Sequence, residues 1–412
     1  MTVDPGLVSR LLGAVGRRRD ELVELTQALV RERSLLGEEA SAQDLMAERI
    51  AALGFSVEHV DVAAHLDADD ATTGIPLLPY DGRTCVAGRI VGSGGGRSLH
   101  LSGHVDVVPA EAPELWSRDP WGGELADGRI WGRGAGDMKG GVAAYLIGAA
   151  AFLEVCGQPA GDLLFSTVIE EECTGNGMQA VLAAGYDADA TLIGEPSGLA
   201  LQHAGVGVIW ARLTAVSGGA HIAHSTGSAS WLRLHQAIDA LRELERRLNA
   251  DPTAPQERVF FDAFEQPYRL NVGVLAGGEW PSSEPAQASA RVRLGLGPRT
   301  TPAQVQELLR AAVHEAAPEV EVTFEGFRAH AYCDDLDHDL ARTLTGAHRE
   351  LHGELPGRRV LAGTTDARHL TAPALCYGPV AGAIHGTDEW VDVASTVRVA
   401  EAIALTIAGW QE

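Results

Sequence analysis

The chain has 412 residues, enough at roughly 150 residues per domain for two or three domains and for a large core without disulfide staples. It carries 32 Lys+Arg against 56 Asp+Glu, a formal net charge of −24, and this excess repels the phosphate backbones that Lys and Arg would hold. Nucleic acid is therefore not expected as a partner. Hydrophobic residues at 45% and charged residues at 21% give an ordinary globular balance, outside the disordered regime.

Five cysteines (Cys85, Cys156, Cys173, Cys333 and Cys376) are scattered and never form a C-x-x-C pair. That pattern argues against a disulfide framework or a thiolate zinc site and fits a reducing cytoplasm. Arg17, Arg18 and Arg19 run into Asp20, Glu21 and Glu24 instead of an apolar stretch, so no secretory signal is expected. The most apolar stretch, 142–153, is shorter than the roughly 20 residues of a membrane span. It reads as a buried helix, and no membrane partner is expected.

The spacing of apolar residues predicts helices over 18–33 and 41–53. In the second, Ser41 occupies an N-cap position with Asp44 three residues on, and Leu45, Met46, Ile50 and Leu53 recur at helical intervals. Gly54 ends it, and 55–60 alternates as a strand. Further strands are expected at 98–108, 163–169 and 190–193, with helices over 140–155 and 175–184 between them. Such alternation indicates an α/β sheet that is at least partly parallel.

Near residue 205 the texture changes. A strand at 208–216, a helix over 229–248, strands at 270–275 and 288–296, a helix over 302–316 and a strand at 320–324 follow in the ferredoxin-like order. The first texture resumes beyond 330, with a helix from 338 and an apolar strand at 374–377. The economical reading is one α/β domain over 1–205 and 328–412, interrupted by a smaller α+β domain over 206–327.

Acidic and imidazole groups cluster at the ends of the predicted strands. His104 and Asp106 lie two apart on a strand and so share a face, the relation in which a carboxylate fixes the orientation of a metal-binding imidazole. Gly132 to Gly141 is glycine-rich around Asp137 but does not match a P-loop, and Asp137 alone could simply cap a helix. Glu170, Glu171 and Glu172 follow the apolar run 163–169, where three carboxylates repel one another unless cations are near. Glu195 follows a short buried strand, and His385 lies in a loop before Glu389. Each cluster by itself also fits a solvated turn. Together, two imidazoles and at least three carboxylates make a donor set that zinc accepts, at the strand ends where open α/β sheets bind ligands. Carboxylate bridging with one His per ion suits a two-metal centre.

These motifs, with Trp116, Asp119-Pro120-Trp121, Glu195-Pro196 and Gly363-Thr364-Thr365-Asp366-Ala367-Arg368, give the chain its resemblance to a known family. It resembles the zinc-dependent peptidases and deacylases of acetylornithine deacetylase, succinyl-diaminopimelate desuccinylase, carboxypeptidase G2 and aminoacylase-1. The resemblance implies a mixed-sheet catalytic domain of zinc-peptidase type with an inserted ferredoxin-like lid and dimerisation domain. It also implies two divalent ions, Zn2+ with Co2+ or Mn2+ as alternatives. His104, Asp137 and Glu195 would bind one ion; Glu172, His385 and the bridging Asp137 would bind the other. Asp106 would orient His104, and Glu171 would act as general base toward a metal-bridging water.

In the same family a lid histidine polarises the scissile carbonyl in the partner's site. His221 is the candidate here, with His224 as the alternative. Asn271, Gly277-Gly278 and Arg293 fall where the family holds a substrate carboxylate, and Gly363, Thr364 and Arg368 line the same pocket. Arg293 could also be a solvated strand residue. Glu170 stands where the family usually has Asp. The implied activity is removal of an acyl group from an N-acyl amino acid by a cytoplasmic homodimer. A dipeptidase or aminopeptidase acting on short peptides, and a non-catalytic metal- or ligand-binding relative, are the competing readings.

Overall fold

The computed structural model describes residues 4–224 and 229–411. A nine-stranded mixed sheet forms its larger part. In spatial order it runs Ser56–Asp61, Thr84–Ile90, Leu163–Val168, Leu99–His104, Thr191–Ile193, Ala374–Cys376, Leu201–Gly205 and Tyr332–Cys333, with Arg358–Leu361 also paired to Leu201–Gly205. Leu99–His104 is parallel to both of its neighbours, and Ala374–Cys376 is parallel to Thr191–Ile193. These four strands therefore end on one edge. Their side chains are buried throughout, as expected of parallel strands covered on both faces.

Helices Gly140–Cys156 and Val393–Trp410 pack against each other beneath this sheet. Gly148 permits the close crossing, since a Cβ there would stand 2.7 Å from the Ala400 carbonyl oxygen. Counted with the turn Ala135–Lys139 before it, the first gives a 22-residue apolar helical run, and the second has 18 residues. Both are long and apolar enough to cross a membrane, which corrects the shorter stretch read from sequence; 78% and 83% of their apolar windows are buried in this fold.

Other predictions shift for identifiable reasons. The N-terminal region contributes a separate helix, Pro5–Arg17, started by the Asp4 side chain and Pro5, before the expected helix at Arg19–Arg31. The next helix starts at Ala40, so Ser41 lies inside it and caps nothing; the preceding residue, Glu39, sends its carboxylate to Arg83 instead. The strand expected over 98–108 stops at His104, and Thr84–Ile90 is a strand that the alternation did not mark.

The second sheet has the antiparallel order Leu270–Gly277, Gln287–Leu296, Gly207–Val216, Val320–Ala329, the ferredoxin-like arrangement. Helices Ser230–Leu248 and Pro302–Ala316 bury Ile209, Ala211, Leu213, Ala290, Val292 and Leu294 on one face. A reciprocal cap between Thr301 and Gln304, with Pro302 at the first helical position, starts the second helix. The period-two alternation leaves Trp210, Arg291 and Arg293 on the opposite face, toward the first sheet.

Candidate active site

The shared strand edge brings the acidic clusters together. His104 ends one strand; Glu170 to Glu172 follow the next, and Glu195 follows the third. His385 arrives from the loop between Ala381–Gly382 and Trp390–Asp392, which pair into a small sheet with Arg129–Trp131. That sheet also positions the turn Ala135–Lys139 carrying Asp137, whose peptide to Met138 is cis.

His104 is buried. Its Nδ1 lies 2.9 Å from the Asp106 backbone oxygen and 3.7 Å from Asp106 Oδ1, and its Nε2 lies 3.2 Å from Asp137 Oδ1. Asp106 in turn accepts the backbone N–H of Glu171 at 3.2 Å and of Glu172 at 3.1 Å. One carboxylate thus ties the imidazole to the acidic pair. His385 Nε2 lies 3.0 Å from Glu172 Oε1 and 3.7 Å from Asp137 Oδ2, which puts Asp137 between the two imidazoles. Donor atoms of His104, Glu171 and Glu195 lie within 4.8 Å of one another, as do those of His104, Asp137 and Glu172.

The electrostatics call for cations. Burial, then the charge of Glu195, pushes Glu171 well above the usual carboxylate range; burial, then Asp137, does the same to Glu195. Burial raises Asp106 to about 7. Burial opposes the charged form of His104, but its hydrogen bond to Asp137 and the surrounding carboxylates hold it well above its usual range. His385 is raised to about 9, chiefly by Glu172. Glu171 Oε1 is buried without a hydrogen-bond partner. A buried donor set of carboxylates and imidazoles with an orphaned oxygen fits divalent ions.

Three supports escaped the sequence reading. Glu389 is fully buried; its Oε1 accepts the N–H groups of Gly136 and Asp137, both at 3.0 Å, while Oε2 pairs with the buried Arg133. Asp366, held up to about 6 by burial, adds negative charge beside Glu171 and Glu195. Glu170, at φ +63, sends its buried carboxylate away from the site to Tyr80, Thr174 and Arg83. Glu389 and Asp366 belong to the motifs that carry the resemblance, so their signal was present; the partners of Glu170 are set by tertiary packing alone.

A cavity of about 780 Å³ opens between the two sheets, lined on one side by Asp137, Glu171, Glu172, Glu195 and His385. Asn271 and Arg293, directly opposed across two strands of the second sheet, line the other side with Gly363 and Thr364 at the rim. Arg293 donates to the backbone oxygens of Ala362 at 2.8 Å and Arg269 at 3.3 Å, and burial pulls its guanidinium down to about 10. Arg368 is placed elsewhere. Its side chain lies behind Glu171, donating to Thr174 and Thr365 backbone oxygens with Nη1 4.0 Å from Glu171 Oε1, and it does not line this cavity. Gly277 and Gly278 lie on a separate exposed hollow. His221 and His224, ring centroids 6.2 Å apart, are exposed and do not line the cavity of their own chain.

Buried carboxylates and imidazoles at the carboxyl edge of parallel strands, facing a cleft with a cationic far wall, define the site of a metal-dependent hydrolase. The profile of peptidase family M20/M25/M40 matches residues 100–409, and the chain belongs to that family, whose members are hydrolases of amide bonds. It is 31% identical over 330 residues to a succinyl-diaminopimelate desuccinylase of Rhodospirillum centenum, covering 76% of this chain and 82% of that one. Among solved structures it is similar to Dug1p, a di-peptidase from Saccharomyces cerevisiae, with a TM-score of 0.80, 15% identity and 98% of each chain covered. A dinuclear metal binding peptidase of the M20 family from Bacillus subtilis gives a TM-score of 0.59 at 14% identity, covering 95% of this chain and 98% of that one.

Proposed function

We propose that the protein is an amidohydrolase that removes the acyl group from an N-acyl amino acid, as the desuccinylase relatives do by name. The observation that carries this reading is the meeting, across one cavity, of the carboxylate–imidazole cluster with the opposed pair Asn271 and Arg293. His104, Asp137 and Glu195 would hold one divalent ion, and Glu172, His385 and Asp137 a second. Such ions, zinc first and cobalt or manganese as alternatives, supply Lewis acidity and lower the pKa of water.

Glu171 sits among these ligands with an unpartnered oxygen, so it takes the proton of the attacking water and passes it to the departing amine. Asp106 keeps His104 oriented, and Glu389 fixes the backbone of Asp137. Arg293 and Asn271 hold the carboxylate of the amino acid, with Gly363 and Thr364 at the rim. Arg368 acts from behind, steadying Glu171. We assign the α/β region over 1–205 and 328–412 to catalysis and 206–327 to a lid that also makes a homodimer. The edge strand Leu270–Gly277 supports that assembly, exposing Leu275 at 66%. His221, or else His224, would then serve the cavity of a second copy as an oxyanion donor. Five free cysteines support a cytoplasmic setting.

The test is a panel of N-acetyl, N-formyl and N-succinyl amino acids with free dipeptides alongside, assayed for amine release with added zinc or cobalt. Release from an acylated amino acid but not from dipeptides is expected. Turnover of dipeptides alone would replace this reading with a peptidase, and no turnover of any member would favour a non-catalytic relative. Glu171→Gln should abolish turnover while metal binding persists.

A further inference from the structure

A second hollow, of about 320 Å³, lies where the inserted unit returns to the first sheet. Its wall includes Arg328 and His330, at and just beyond the end of strand Val320–Ala329, with Arg368 and His369 from the turn behind Glu171. Asp67, Asp70 and Gln179 complete it from the first part of the chain. None of these residues lines the catalytic cavity, and none of the candidate metal ligands lines this hollow. At the small end of ligand pockets, it suits a molecule of few heavy atoms.

Charge in the hollow is divided. Arg328 and His330, two apart at the end of the strand, share a face. Among the described residues Arg328 donates only to backbone oxygens, of Thr73 at 2.6 Å and Asp70 at 3.2 Å, and the His330 ring has no hydrogen-bond partner. Burial, joined at His369 by the charge of Arg368, holds both imidazoles below their usual range, so they are neutral at pH 7. The permanent charges then balance, Arg328 and Arg368 against Asp67 and Asp70. A lone anion or cation would upset that balance, and a zwitterion would not.

The acceptors sit together: the Thr72 hydroxyl donates to Asp70 Oδ1 at 2.8 Å and accepts from the Gln179 amide at 3.0 Å. Three side chains of the wall each keep a buried polar atom without a hydrogen bond, namely Gln179 Oε1, Arg368 Nε and His369 Nε2. Unpaired buried atoms are costly, and an orphaned acceptor beside orphaned nitrogens calls for a ligand that both donates and accepts.

We propose that this hollow binds a free α-amino acid, its carboxylate against Arg328 and the imidazoles and its ammonium against Asp70 and Gln179. Such a site requires no deacylase activity and would serve a peptidase equally. Arg368 reaches from this wall to within 4.0 Å of Glu171 Oε1, so the occupant touches the residue that backs the general base without entering the catalytic cavity.

Titration calorimetry of the metal-loaded enzyme with L-alanine, acetate and methylamine reads the site. Alanine should bind, and acetate and methylamine at least about 10-fold more weakly, since each satisfies one end only. Arg328→Met should weaken alanine binding about 10- to 100-fold, the worth of a charge-assisted hydrogen bond, and His330→Leu should weaken it less. Arg328→Lys keeps the charge and should retain part of the affinity; with His330→Leu it carries the test if the Met variant does not fold. Arg293→Met alters the catalytic cavity and should leave the step that depends on Arg328 in place. Alanine binding lost in Arg293→Met but kept in Arg328→Met would put the ligand in the catalytic cavity and overturn the site. Acetate binding as tightly as alanine, or an isotherm unmoved by both Arg328→Met and His330→Leu, would overturn it as well.

Discussion

Replacing Arg83 by Met tests whether the chain behind the acidic pair is held by a buried ion cluster. Arg83 is 11% exposed and pairs with Glu170, 0% exposed, and with Glu39, 4% exposed. Burial disfavours its charged form, but Glu39 and Glu170 more than offset that and hold the guanidinium above its ordinary range. Removing it leaves two buried carboxylates without a cation. Breaking one buried pair costs about 3–5 kcal/mol, and the donors that remain on Glu170, from Tyr80 and Thr174, keep the expected total near 4 kcal/mol. That is a large share of the 5–15 kcal/mol that holds a typical domain together. Urea unfolding followed by tryptophan fluorescence measures it, and adding Glu170→Gln to the variant should restore about half, because one stranded charge is removed. A loss below about 1 kcal/mol for Arg83→Met, the range of exposed ion pairs, would refute the argument.

Further expectations follow from individual contacts. Burial holds His100 at about 3 against its usual 6.5, so the folded chain keeps it neutral while the unfolded chain protonates it. Its contribution to stability is complete above about pH 6.5 and is lost as the pH falls toward 3, by up to about 1.4 kcal/mol per unit. Between pH 6 and 4 the unaltered protein should lose about 2 kcal/mol more than His100→Gln; parallel stability curves would contradict this. In Gly141→Ala, the new Cβ would meet the Gly194 carbonyl oxygen, a backbone atom, at 1.8 Å, beside Glu195. A loss of at least about 3 kcal/mol and weakened metal binding are expected, and an unchanged Tm would show that the helix can shift freely. Glu389→Gln retains the shape but removes the charge facing Arg133, so metal affinity should fall about 10- to 100-fold, as measured by competition with a chromophoric chelator. Stripping the ions with a chelator should abolish activity and added zinc or cobalt should restore it; full activity in the stripped protein would dismiss a metal role.

The sequence by itself determined the alternation of strands and helices, the ferredoxin-like order of the inserted unit and the residue types gathered at strand ends. These are legible because hydrophobic periodicity and donor chemistry are local properties. His104, Asp137, Glu172, Glu195 and His385 are named as candidate ligands before any fold because the motifs that carry the family resemblance contain them. The tertiary structure decided what depends on direction. It placed Arg368 behind Glu171 instead of in the cavity, left His221 outside the cavity of its own chain, and turned Glu170 toward Arg83. It also set Arg359 beside Gln202, two residues whose adjacency exists only through a parallel pairing between distant strands. Spacing along a chain fixes which face a side chain takes within its own element. Which distant partner it then meets depends on how the strands are ordered, and that is settled only when the whole core closes.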